Sequence, residues 1–113
     1  MTLLLVAVGG AVGALTRYLI DLAIAATAGR AFPWGTLTVN VLGCFVLGAT
    51  LGRADPATAA LVGTGFCGAL TTYSSFAGET LGLLDDRRPA AALANALLSL
   101  ALGLTACLAG IAI

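Results

Sequence analysis

Charge is the scarcest feature of this sequence. Five Arg and five acids among 113 residues, with no Lys and no His, leave 9% of the chain charged, where a soluble chain carries roughly 25%. Such a chain cannot clothe a water-facing surface. The formal net charge is zero, so there is no basic footprint for nucleic acid and no polybasic tail for anionic lipid. The missing His removes imidazole catalysis. Cys44, Cys67 and Cys107 are scattered through apolar stretches and offer neither zinc-ligand spacing nor a disulfide framework. They read as packing residues in an apolar interior. No nucleophile and base can be named as a pair, which sets enzymes aside.

What the chain has in abundance is apolar: 60% hydrophobic residues and 15 Gly. Membrane helices need about 20 apolar residues each, so this length holds four passes with short loops. The expectation is an all-α membrane protein, a single four-helix transmembrane domain over residues 1–113. The first segment runs from about Thr2 to Ala28, interrupted by Arg17 and Asp21, which sit four apart and can meet on one helical face. No Lys or Arg precedes its apolar run Leu3 to Val8, and it outlasts a secretory signal, so it reads as a retained span. The second, Phe32 to Gly52, opens with Pro33 in a first helical turn and Trp34 at a membrane interface, and holds no charge. After the polar turn Arg53-Ala54-Asp55-Pro56, the third extends from Ala57 to Leu84. Asp85-Asp86-Arg87-Arg88 closes it, and Pro89 to Ile113 forms the fourth, with Asn95, Ser99 and Thr105 as its polar members.

The loop charges bear on orientation. The side holding the N-terminus owns Arg53 alone, while the other owns Arg30, Arg87 and Arg88. Orientation follows Lys and Arg near the span ends, and so small a bias fixes it weakly. The chain is expected to insert both ways. Gly9 with Gly13, and Gly48 with Gly52, are spaced to let neighbouring helices approach closely.

One stretch does not read as an ordinary span. Apolar character lapses at Thr71-Thr72-Tyr73-Ser74-Ser75, in the middle of the third segment and flanked by Gly65, Gly68 and Gly78. This predicts a broken helix, which membranes tolerate only where the backbone faces protein or a water-filled cavity. Freed carbonyls suit a hard cation such as sodium, and hydroxyls supply donors to an anion. The stretch is therefore a candidate ion-handling site. Asn40 lies mid-span in the second segment, where it serves either an interhelical hydrogen bond or an ion. Arg17 and Asp21 form either a structural pair or an ion contact, and Glu79, just past the break, can cap or orient it.

Three stretches, GGxxGALTRY at 9–18, FPWGTLTVNVLGCF at 32–45 and GFCGALTTYSSFAGET at 65–80, make the chain resemble the CrcB/Fluc fluoride channels. The resemblance covers most of the chain; the fourth segment is compatible but less specific. It implies an antiparallel, dual-topology homodimer in the plasma membrane of a bacterial-type cell, with a sodium ion at its centre held by the backbone carbonyls of Gly68 and Thr71. The family's paired pore rings correspond to Tyr73 and Phe76, with Tyr standing where Phe is usual. Asn40 and Thr36 would contact the pore, Ser74, Ser75 and Ser99 would form a polar track, and Arg17 would lie at a vestibule. The implied function is passive fluoride efflux. The main rival, a small multidrug-type four-helix exporter, resembles proton antiporters with an acid early in the first span; here the first acid is Asp21, near its end.

Overall fold

The structure, a computed structural model, describes residues 1–113 except Arg30, Gly52, Ala54 and Thr72, and gives only the backbone of Tyr73, Ser74 and Ser75. Five helices account for nearly all of the described residues, none of which lies in a strand. They are α1 (Thr2–Ala28), α2 (Trp34–Thr50), α3 (Pro56–Leu70), α4 (Tyr73–Asp85) and α5 (Pro89–Ala112). All three prolines stand at or just before a helix start, where the missing N–H is no loss. Gly29, at φ 76°, ends α1 in a conformation that a side chain would strain.

The glycine contacts fix how the helices run. A methyl placed on Gly9 would strike the Leu61 carbonyl and one on Gly13 the Phe66 carbonyl, so α1 and α3 run the same way with their backbones touching. Likewise Gly48 meets the Cys107 backbone while Gly103 faces Cys44, which makes α2 and α5 parallel. Between α2 and α3 the order reverses: Gly43 meets Thr71 and Leu47 reaches Gly63. The chain therefore travels up α1, down α2, up through α3 and α4, and down α5. Two arginines tie the ends. Arg53 donates to the carbonyls of Gly110 and Ile111 at the C-terminal end of α5, where a cation meets the negative end of the helix dipole. At the other end, Arg88 donates to the carbonyl of Ala31 in the loop between α1 and α2.

Two helices, α1 with 27 residues and α5 with 24, are long and apolar enough to cross a membrane. They are not buried core helices, since Leu93, Leu100 and Leu108 on α5 each expose 60% or more of their surface. Faces like these need an apolar solvent, which marks a membrane protein. The second helix is shorter than the expected segment, starting at Trp34 and stopping at Thr50. The break in the third segment lies where the hydroxyl run predicts it: Thr71 is extended, at φ −80° and ψ 151°, between α3 and α4. Nine residues of α3, Ala59–Cys67, are wound wider than an α-helix, with i→i+5 bonding. Periodicity did not anticipate this.

Candidate ion-handling site

The broken segment, α2 and α5 enclose a cavity of about 480 Å³ that is open on one side. α2 contributes Asn40 and Cys44, α3 contributes Cys67 and Gly68, and Thr71 sits at the break itself. Phe76 enters from the first turns of α4 and Ser99 from the middle of α5. Five of the expected site residues, Asn40, Gly68, Thr71, Phe76 and Ser99, thus meet around one space, although they come from sequence positions 59 apart at the extremes. The Ser99 hydroxyl oxygen is buried and has no hydrogen-bond partner among the described residues. A buried hydroxyl without a partner costs about 1–3 kcal/mol, and Ser99 carries that cost beside the cavity.

Around the break the polar groups are divided. Thr71 donates its hydroxyl to the Cys67 carbonyl at 2.8 Å, and its backbone N–H takes the same acceptor at 3.0 Å. Its methyl packs on Gly43, where a side chain would collide with it. Thr71 leaves the helical conformation, so α3 ends here, and the last carbonyls of a helix have no partner within it. Outside its own stretch of helix, no described residue lies within 4 Å of where a Gly68 Cβ would stand. Among the described residues no group of three or more His, Cys, Asp or Glu could hold a metal. A hard cation at the break would have to be held by backbone oxygens, a donor type that such ions accept.

Thr36 and Arg17 lie elsewhere. They line a second cavity of about 250 Å³, together with Asp21 and Glu79. Thr36, 8% exposed, donates to Glu79 Oε1 at 2.6 Å, while the second carboxylate oxygen of Glu79 is buried with no partner among the described residues. Asp21 packs on Gly35, beside Thr36, where a methyl would meet its carboxylate. Phe76 lines the first cavity and Glu79 the second, three positions apart on α4, a rise of about 4.5 Å. Residues three apart share a face, so α4 lines both cavities along one side. It is held on both sides, by Thr36 of α2 at Glu79 and by Asn95 of α5 at Thr80, whose hydroxyl accepts from the Asn95 amide at 2.9 Å and donates to the Phe76 carbonyl at 2.8 Å.

Sequence reasoning left the roles of Glu79 and Asn95 open; here each side chain bonds across to another helix. The signal for Glu79 was its isolation, as the only acid between Asp55 and Asp85. The side chains of Tyr73, Ser74 and Ser75, also expected at the site, lie outside the described residues, as does Thr72.

The comparisons with known proteins agree with one another. Residues 4–111 match the family described as CrcB-like protein, Camphor Resistance (CrcB). The chain is similar to the "Fluoride-specific ion channel FluC 1" of Thermobifida fusca (strain YX), 50% identical over 113 residues that cover 99% of this chain and 94% of the relative. A protein of the same name from Streptomyces avermitilis is 47% identical over 116 residues, covering 98% and 94%. The "Fluoride-specific ion channel FluC 2" of Rhodococcus jostii (strain RHA1) is 50% identical over 107 residues, covering 94% and 92%.

Proposed function

The chain belongs to the CrcB-like family, and on that premise we propose that it is a fluoride-specific ion channel, not an enzyme, through which cytoplasmic fluoride leaves the cell passively. The observation that carries this reading is the meeting of Asn40, Phe76 and Ser99 at the helix break in one cavity. Fluoride is small and strongly hydrated, so its path must replace water with many weak donors and still release the ion. The Asn40 amide and the Ser99 hydroxyl are neutral donors. The Phe76 ring adds a partly positive edge, which attracts an anion without trapping it. Chloride is larger and gains less from close hydroxyl donors, so a narrow donor-lined path favours fluoride. The negative interior of a cell drives the anion outward, and no coupling site is required.

The finer parts of the reading follow the same logic. α1, α2, the pair α3 and α4, and α5 are the four membrane passes of one domain in the plasma membrane. Arg17, in the cavity it shares with Thr36, is the vestibule charge that draws anions in, and Tyr73, Ser74 and Ser75 extend the polar track. Two chains assemble antiparallel, each closing the open side of the other's cavity, and the weak arginine bias supports insertion both ways. Sodium is a resident ion, held by the carbonyls of Gly68 and Thr71, where it supplies a fixed positive charge at the centre of the dimer.

The test is fluoride release from potassium-loaded liposomes on addition of valinomycin. Wild-type protein should release fluoride and little chloride, and Phe76→Ile should sharply reduce the release while the dimer remains assembled. Absence of fluoride release, or equal release of chloride, sinks the channel reading; undiminished release by Phe76→Ile removes that ring from the path.

A further inference from the structure

Two of the three cysteines are not spent on packing alone. The α2–α3 contact is antiparallel, with Gly43 against Thr71 and Leu47 against Gly63, and that register brings Cys44 level with Cys67. Both line the 480 Å³ cavity, one from each of two facing helices. Cys67 is buried and Cys44 half-buried, and both are free thiols. On the α5 side the Cys44 sulfur lies beside Gly103, 3.5 Å from where a Cβ would stand, so no side chain there covers it. Asn40 precedes Cys44 by one helical turn and Thr71 follows Cys67 by one, so the thiols stand one turn from the polar groups assigned to the ion path.

We propose that Cys44 and Cys67 form a two-thiol site for a soft monovalent cation, of the Cu(I) or Ag(I) type, whose binding closes the cavity. Soft d¹⁰ cations prefer sulfur and accept two thiolates in a near-linear arrangement, so a pair suffices where zinc would need four ligands. Binding is a proton exchange: both S–H bonds give up their protons to water as two S–metal bonds form, and the oxidation states do not change. Two thiolates and one monovalent cation leave a single negative charge in the cavity. The bound ion therefore obstructs fluoride twice, by filling the space beside Asn40 and by repelling an anion.

Closure of the path rests on the fluoride-channel reading; the metal site does not. The test uses purified protein and silver nitrate in chloride-free buffer, since silver fluoride stays dissolved. Bound silver after desalting and the protons released are measured beside fluoride efflux from liposomes. The wild type should retain one silver per chain, release two protons and lose its efflux. Cys44→Ala and Cys67→Ala should each lose the retained silver and keep their efflux in its presence, whereas Cys107→Ala should behave as the wild type. Gel filtration identifies any variant that fails to fold, in which case Cys44→Ser or Cys67→Ser replaces it. Retention of silver by both single variants, or its loss in Cys107→Ala, overturns the site. Silver held at the pair with efflux undiminished overturns the closure. A wild type that never releases fluoride contradicts the channel reading, while silver and proton release still decide the site.

Discussion

Removing the Ser99 hydroxyl separates a group kept for stability from one kept for an ion. Its oxygen is buried against the cavity and meets no partner among the described residues. An orphaned buried hydroxyl costs about 1–3 kcal/mol, so Ser99→Ala should leave the fold as stable as before or raise its stability by about 1 kcal/mol. The same substitution should hurt conduction. A hydrogen bond to a charged partner contributes about 1.5–3 kcal/mol, and each 1.4 kcal/mol of barrier is about a tenfold change in rate. If the bond forms mainly at the barrier, fluoride efflux should fall by at least about tenfold. Two assays on one preparation decide it: thermal unfolding in detergent, and efflux followed with a fluoride electrode. A variant that melts earlier yet conducts normally would refute the reasoning, because Ser99 would then be a structural bond and not an ion contact.

Thr36→Val removes the hydroxyl that donates to Glu79 at 2.6 Å and leaves that buried carboxylate without it; the loss should be about 2 kcal/mol in unfolding free energy. The same change in a Glu79→Gln background should cost measurably less, and additive effects would show that the two do not interact. Asp55 caps the start of α3 by accepting the Thr58 N–H at 3.2 Å. The Thr58 side chain first, and its backbone amide second, hold the Asp55 carboxyl below its ordinary range. A lowered folded pKa gives stability that is present above the unfolded value and lost as the pH falls through the folded one. Amide exchange at residues 57–59, taken relative to the intrinsic rate at each pH, should therefore quicken on acidification through and below the usual carboxylate range. In Asp55→Ala it should be fast throughout, and a pH-independent wild type would contradict the cap.

The legible parts were those written in local chemistry. The run of hydroxyls from Thr71 to Ser75 has no place in a lipid-facing helix, and the break falls there. Asn40 and Ser99 stood out as polar groups in apolar segments, and they reach the same cavity. What stayed hidden depended on partners far along the chain. Thr36 and Glu79 lie 43 residues apart, and no periodicity joins them. Arg53 counted as a loop charge bearing on orientation, yet its guanidinium is bound to carbonyls of a helix that begins 36 residues later. The wide winding of Ala59–Cys67 left no trace because Thr64 is the one hydroxyl residue in that stretch, too little to mark a polar face and show a change of pitch. The cysteines looked scattered because their meeting depends on tertiary packing: Cys44 and Cys67 line one cavity only through the register of α2 against α3.

The most direct measurement is the reversal potential of the channel in a planar bilayer with fluoride on one side and chloride on the other. A fluoride-selective path gives a reversal potential displaced far toward the fluoride equilibrium, with current carried by fluoride alone. A reversal potential near zero under the same gradient means that chloride passes as readily, and the donor-lined cavity is then not a fluoride filter.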